Sequence, residues 1–162
     1  WVQNCGQVNG FNAIKVGVEF GLITEGLRKK NQNIKIGLSD PFVSSLYNFV
    51  KNKDLKHKTS ITEGIGTSRI TKNFENTLVD YAYRIDDTKA LNVIFNLLKH
   101  EGLCLGTSSG INVAGAIEMA KEMGPGNTIV TILCDVGSRS ASKIFNVDFL
   151  KSKNLPYPDW LV

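Results

Sequence analysis

Strand-like and helix-like segments alternate along most of this chain, and the alternation limits the folds that it can adopt. Short apolar runs with the length of strands occur at residues 33–41 (NIKIGLSDP), 81–85 (YAYRI) and 128–134 (TIVTILC). Helical patterns cover residues 20–31, 88–100 and 111–123. Alternation of this kind is typical of a parallel sheet with right-handed helical crossovers. We therefore predict an α/β domain with a mostly parallel sheet.

Several weaker patterns refine this prediction. Residues 128–134 are almost continuously apolar, which predicts a strand covered on both faces, and residues 103–105 (LCL) predict another short strand. Residues 42–50 (FVSSLYNFV) are compatible with a short helix. In the helix at 111–123 the small side chains Ala114, Ala116 and Ala120 would allow close contact with the sheet.

Composition excludes several classes of protein. With 162 residues, 42% of them hydrophobic and 21% charged, the chain has the profile of one globular domain over residues 1–162. Its net charge of +4 comes from scattered lysines without interleaved aromatic residues, so we expect no nucleic-acid binding. No apolar run is long enough to cross a membrane, and we expect a cytoplasmic protein.

The cysteines and histidines do not predict a metal site. Cys5, Cys104 and Cys134 are far apart and follow no metal-ligand spacing, so we expect reduced thiols, the last two of them buried. His57 and His100 also lack partners at a useful spacing.

The run Gly106-Thr-Ser-Ser-Gly110 is the strongest candidate binding segment. We expect it to form a turn between a strand and a helix, which is the usual ligand position in an open α/β sheet. Hydroxyl and backbone N–H groups there would suit an anion or a heteroaromatic nitrogen. The same residues would also serve as a helix cap with a tight turn, and the pattern alone leaves both interpretations open.

Four motifs in order carry a resemblance to a known family. Residues 33–41, 61–75 (ITEGIGTSRITKNFE), 101–117 (EGLCLGTSSGINVAGAI) and 132–139 (ILCDVGSR) together resemble the second half of cysteine synthase, or O-acetylserine sulfhydrylase. The resemblance extends over most of residues 33–162, and cystathionine β-synthase is similar in a less specific way. The family depends on pyridoxal phosphate and has the three-layer fold of the tryptophan synthase β-subunit, called fold type II. The resemblance thus implies the C-terminal, partial form of that fold.

The resemblance also implies roles for particular residues. Ser108 matches the serine whose hydroxyl faces the pyridine nitrogen of pyridoxal phosphate, and Gly64 and Gly66 match a glycine turn that approaches cofactor and substrate. Asp135 matches an acid of mainly structural role, whose carboxylate would bind loop N–H groups. The implied reaction converts O-acetylserine and sulfide into cysteine and acetate. The implied partners are a further copy in a homo-oligomer and the C-terminal tail of serine acetyltransferase.

Two departures from the family pattern raise an alternative. The family's cofactor-binding lysine lies in a Ser-x-Lys-Asp-Arg segment that nothing here matches, and Lys143 is rejected because Ile144 and Phe145 follow it. The phosphate loop Gly-Thr-Gly-Gly-Thr is replaced within residues 13–27, where Gly17 alone of its glycines remains and Val18 and Glu19 follow it. A slip of the reading frame would produce such a change. The alternative function is therefore a non-catalytic remnant or a partner-binding module of the same fold.

Overall fold

A four-stranded sheet lies at the centre of the computed structural model, which describes residues 8–13, 17–55, 60–62 and 65–162 and no side chain at 17–19. The strands are β1 (Gly10–Ala13), β2 (Lys35–Pro41), β3 (Tyr81–Ile85) and β4 (Ile129–Thr131). Their order across the sheet is β3-β2-β1-β4, and each neighbouring pair is parallel. The predicted α/β class and parallel sheet are confirmed.

Seven helices are found in the described residues. They are α1 (Gly17–Lys30), α2 (Leu46–Asn52), α3 (Lys72–Glu75), α4 (Asp87–Glu101), α5 (Thr107–Met123), α6 (Ala141–Ile144) and α7 (Val147–Ser152). Sequence signals explain the bounds of α4: the Asp86 side chain accepts a hydrogen bond from the Lys89 N–H, and Gly102 ends the helix at a φ of 69°. None of the helices in the part that the structure describes is both long and apolar enough to span a membrane.

Helix α5 lies across one face of the sheet and runs opposite to the strands. Gly115 packs directly on Ser39, where any side chain would collide with the serine hydroxyl. One turn later, the Met119 Sδ lies 2.8 Å from the position that a Cβ at Gly37 would occupy. Since Ser39 comes after Gly37 in β2, the amino end of α5 points past the carboxyl end of that strand. Thr107 and Ser108 are therefore placed beyond the carboxyl ends of the strands.

Helices α1, α2 and α3 lie on the opposite face of the sheet. Alternate residues of a strand point to opposite faces, so Leu38 and Asp40 point away from α5. The Asp40 carboxylate accepts a hydrogen bond of 2.8 Å from the Tyr47 N–H in α2. In the same layer the Phe74 ring of α3 contacts the rings of Phe20 in α1 and Phe49 in α2, at centroid distances of 5.7 and 6.3 Å. The predicted three-layer arrangement is confirmed.

A second apolar cluster joins the C-terminal residues to α4. Leu91, Ile94 and Phe95 of α4 are buried together with Ile144 of α6 and Leu150 of α7. Trp160 contacts the Phe95 ring edge to face, with centroids 6.0 Å apart. Helix α4 thus has apolar neighbours on two sides, since it also packs against α5.

Three expectations about individual segments were wrong. Helix α5 begins at Thr107 and not at Ile111, so the Gly-Thr-Ser-Ser-Gly run forms its first turn. Residues 103–105 form only an isolated bridge between Leu105 and Val136. The strand predicted over residues 128–134 is limited to β4, and Leu133, which lies beyond it, is 48% exposed.

Two expectations about buried side chains also need correction. Cys104 is exposed and Cys134 is half-buried, because the segment that carries Cys104 lies outside the sheet. In α5 the close contacts with the rest of the molecule are made by Gly110, Ala114 and Gly115, whereas Ala120 is exposed. Of the alanines predicted to allow close contact, Ala114 is therefore buried, whereas Ala120 is not.

Candidate functional site

The first turn of α5 is fixed to the chain that follows β4. The N–H of Gly106, the residue before the helix, donates to the Asp135 carbonyl at 2.8 Å. One turn into the helix, the Ser109 hydroxyl accepts a hydrogen bond of 2.9 Å from the Cys134 N–H. These two bonds define the position of the segment that carries the predicted site serine.

Ser108 differs from its neighbour in having no partner. Its side chain makes no hydrogen bond within the described residues, although only 4% of the residue is exposed. Because the residue as a whole is only slightly exposed, a ligand atom that accepts a hydrogen bond from this hydroxyl would be largely shielded from water. The amino end of the 17-residue helix adds the positive end of its dipole at the same place. The arrangement suits a ligand atom that accepts a hydrogen bond.

Gly66 lies next to the carboxyl end of β2. Its φ of 79° belongs to the left-handed region, and a Cβ there would lie 2.6 Å from the Ser44 Cβ. The Ser44 hydroxyl accepts a hydrogen bond of 3.1 Å from the Thr67 N–H, and the Ser45 N–H donates to the Thr67 carbonyl at 2.8 Å. The loop at Gly66 is thus fastened to the turn that follows β2.

Of the two other glycines predicted for the site, Gly17 lies within the described residues and Gly64 does not. Gly17 is the first residue of α1, the helix that follows β1. Gly64 lies outside the described residues, and the side chains of Val18 and Glu19 are not described either. The effect of the altered phosphate loop therefore stays a prediction.

The order of the strands places Ser108, Gly17 and Gly66 at the edge of the sheet where the strands end. From β1 the chain crosses to β2 on one side, whereas β4 lies on the other side, so the direction of winding reverses between β1 and β4. Open α/β sheets bind ligands in the crevice beyond the carboxyl ends at such a reversal. Gly17 follows β1, and Ser108 is held by its neighbours to the chain that follows β4. Ser108 and Gly17 therefore border the expected crevice, and Gly66 lies beyond the next strand.

Asp135 has a different role from the one expected for its carboxylate. The carboxylate pairs with the Arg139 guanidinium at 2.8 Å, and both side chains are well exposed. Its main-chain carbonyl, and not its side chain, receives the loop N–H of Gly106. The structural role is retained, but the prediction that the carboxylate binds loop N–H groups was wrong.

Asp40 is an ionisable group buried at the same edge of the sheet. Burial raises the pKa of its carboxyl to about 6, against the weaker lowering effects of Ser44, the Tyr47 N–H and the Arg84 charge. Among the described residues, neither the Asp40 Oδ1 atom nor the Arg84 Nε atom has a hydrogen-bond partner within normal distance. Sequence reasoning treated Asp40 only as the end of a strand and did not identify this group.

Comparison with known proteins identifies the family. A family model described as pyridoxal-phosphate dependent enzyme matches residues 16–135. The chain belongs to this family. It is 38% identical to cysteine synthase 2 of Schizosaccharomyces pombe over 96% of the chain, and 35% identical to cysteine synthase of Dictyostelium discoideum over 98%. The chain spans 43% and 45%, respectively, of the length of these relatives. The resemblance to cysteine synthase is confirmed.

A solved structure supports the same assignment of the fold. The crystal structure of O-acetylserine dependent cystathionine β-synthase from Helicobacter pylori matches with a TM-score of 0.77 and 28% sequence identity. The match covers 88% of this chain and 45% of that protein. The predicted fold, a partial form of fold type II, is confirmed.

The described residues fit the ring of pyridoxal phosphate. Its pyridine nitrogen is a hydrogen-bond acceptor when unprotonated, and Ser108, a residue only slightly exposed, offers a hydroxyl that has no hydrogen-bond partner among the described residues. The residues that support this site were harder to identify from sequence. Ser109 looked equivalent to Ser108, and Ser44 lies in a segment that was assigned only as helix. The only available signal for Ser44 was a pair of small polar residues, Ser44 and Ser45, a few positions after the end of a strand.

Proposed function

We propose that this chain is the C-terminal portion of a pyridoxal-phosphate-dependent cysteine synthase, which makes cysteine and acetate from O-acetylserine and sulfide by β-replacement. Family membership and relatives named cysteine synthase at 35–38% identity support the reaction class. The bound cofactor supplies an electron sink for the negative charge that develops on the α-carbon of the amino acid. The cytoplasmic location expected from the sequence stays a prediction.

The observation that carries this proposal is the unpartnered Ser108 hydroxyl at the sheet reversal. Ser108 would donate its proton to the pyridine nitrogen and so orient the ring against the amino end of α5. A hydroxyl has no charge with which to hold that nitrogen protonated, whereas a carboxylate in its place would do so. The chain would thus bind the ring with its nitrogen unprotonated. In that form the ring withdraws electrons less strongly, which suits elimination and replacement at the β-carbon.

The other predicted residues would complete this side of the pocket. The amino end of α1 begins at Gly17, and a helix of 14 residues presents free N–H groups and a positive dipole end to a phosphate. Gly66 would let the backbone of its loop approach the ligand, since it carries no side chain. Each of these roles is an expectation for a bound cofactor.

Equilibrium dialysis with pyridoxamine 5′-phosphate tests the proposal. This compound has the ring and the phosphate but no aldehyde, so it forms no imines with surface lysines. We expect saturable binding by the full chain and at least about tenfold weaker binding by Ser108→Ala, since a lost hydrogen bond in a buried site has this cost. Absence of saturable binding, or equal affinity of the variant, would refute the proposed pocket.

A second candidate is the partner-binding module. Leu103, Leu133 and Val136 lie on the bridged segments next to the first turn of α5, and they are 42%, 48% and 58% exposed. Exposed apolar side chains grouped near a site favour association with another protein. A further copy and the serine acetyltransferase tail are the expected partners. Titration with a tail peptide tests this candidate, which requires saturable binding that Val136→Asp abolishes.

A further inference from the structure

Helix α4 begins with two aspartates, and only the first one caps the helix. The Asp86 side chain accepts a hydrogen bond of 2.7 Å from the Lys89 N–H, which is the usual bond of a helix N-cap. Asp87 occupies the first helical position and makes no such bond in the described residues. Its carboxylate is directed at another part of the chain.

Asp87 binds all three described residues of the segment 60–62. Its Oδ1 accepts hydrogen bonds from the hydroxyls of Ser60 at 2.5 Å and Thr62 at 3.4 Å. Its Oδ2 accepts from the Ile61 N–H at 2.9 Å. The segment is also folded on itself, because the Thr62 N–H donates to the Ser60 hydroxyl at 3.0 Å. Hydrogen bonds to a charged acceptor are stronger than those between neutral groups, so Asp87 holds residues 60–62 strongly against the start of α4.

The opposite end of the same loop has its own anchor. At residues 65–67 the Ser44 hydroxyl and the Ser45 N–H hold Thr67, as described above, and Gly66 lies against Ser44. Only residues 63 and 64 separate the two anchored segments.

We propose that Asp87 is a positioning residue, which holds the loop that carries Gly66 against the pocket from the first turn of α4. The inference rests on the proposed function, since it assigns Gly66 to the wall of the cofactor pocket. Asp87 itself touches no ligand in this account. It acts by fixing the loop before the ligand arrives, which lowers the ordering cost of binding.

The adjacent aspartate provides a matched control. Asp86→Ala removes the helix cap and lowers the stability of α4, but it leaves every bond to residues 60–62 in place. Asp87→Ala removes all three bonds to that segment, and Asp87→Asn retains one acceptor oxygen. Amide hydrogen exchange and the affinity for pyridoxamine 5′-phosphate are measured on all three variants of the full chain.

The expected results separate positioning from stability. Asp87→Ala should accelerate exchange of the Ile61 amide at least about tenfold and weaken ligand binding about tenfold, with Asp87→Asn between it and the wild type. Asp86→Ala should accelerate exchange at Lys89 and leave both the Ile61 amide and the affinity unchanged. Asparagine at position 87 also guards against a failure of the alanine variant to fold.

Three results would overturn the inference. Unchanged Ile61 exchange in Asp87→Ala would show that the carboxylate does not hold the segment. Faster exchange with unchanged affinity would show a structural role alone, and so would an equal loss of affinity in Asp86→Ala. Failure of the wild type to bind the ligand would refute the proposed function and the positioning role together, while exchange at Ile61 would still report on the anchor.

Discussion

Ser109 and Cys134 are joined by a hydrogen bond of 2.9 Å, in which the Cys134 N–H donates to the serine hydroxyl. This bond ties the first turn of α5 to the chain that follows β4. The hydroxyl of the preceding residue, Ser108, makes no side-chain bond in the described residues. Two adjacent serines of one motif therefore have different roles, one in structure and one available for a ligand.

This difference predicts that two alanine substitutions lower the stability to different extents. Ser109→Ala leaves the Cys134 N–H without its partner, and we expect the free energy of unfolding to fall by about 1–3 kcal/mol. Ser108→Ala removes a hydroxyl that bonds to nothing in the described structure, so we expect a change below about 0.5 kcal/mol. Urea denaturation followed by circular dichroism measures both. A loss in Ser108→Ala as large as that in Ser109→Ala would contradict the assignment.

A second prediction compares two glycines in α1. Gly21 packs on α3 so closely that a side chain would collide with the Asn73 carbonyl oxygen, whereas no atom lies within 4 Å of the Cβ position at Gly26. Alanine favours the helix over glycine, so we expect Gly26→Ala to stabilise the protein by about 0.5–1 kcal/mol. Gly21→Ala should destabilise it by about 1–3 kcal/mol, because the two helices must separate.

Thermal unfolding of the two glycine variants checks this pair. Since the substitution is the same and both sites lie in one helix, any difference reports on the contact with α3. A rise in the melting temperature of Gly21→Ala would mean that α1 does not pack on α3 as described.

A third prediction concerns pH. Burial raises the pKa of Asp40 from 3.8, the value of an unperturbed aspartate, to about 6 in the folded protein, so the folded state binds this proton more tightly than the unfolded state. Protonated Asp40 therefore stabilises the folded protein at low pH. This stabilisation is lost as the pH rises from about 4 to above 6, and the free energy of unfolding falls by about 3 kcal/mol in total. Asp40→Asn should remove this dependence and be the more stable form at pH 7. Urea denaturation between pH 4 and 7 measures the slope for each protein, and identical slopes would show that Asp40 does not titrate as described.

Much of the fold could be predicted because its signals are local. The strand at residues 81–85 was located to the residue, and the helix predicted over residues 88–100 agrees with α4 (Asp87–Glu101) within one residue at each end. Apolar periodicity and capping residues act over one or two turns, so a single sequence displays them. Strand β1 was not identified, since its four residues, Gly-Phe-Asn-Ala, carry no strand pattern and are buried by their neighbours.

The site was predictable only in part. Ser108 and Gly66 were proposed from a resemblance, because a hydroxyl or a glycine in a turn has many structural uses. Nothing in the sequence separates Ser108 from Ser109, since the difference depends on Cys134, which is 25 residues away from Ser109 in the chain. The bonds from Asp87 and Ser44 to the glycine loop also join residues that are distant in sequence. Such contacts become visible only when the fold brings their residues together.

The most direct test of the account is the ¹⁵N chemical shift of the ring nitrogen of labelled pyridoxamine 5′-phosphate bound to the full chain. With Ser108 present we expect the signal of an unprotonated nitrogen that accepts a hydrogen bond. In Ser108→Asp the carboxylate should hold that nitrogen protonated, and the signal should move to the position of a pyridinium ion. Identical shifts for the two bound proteins would show that residue 108 does not face the ring nitrogen, and the proposed pocket would be wrong.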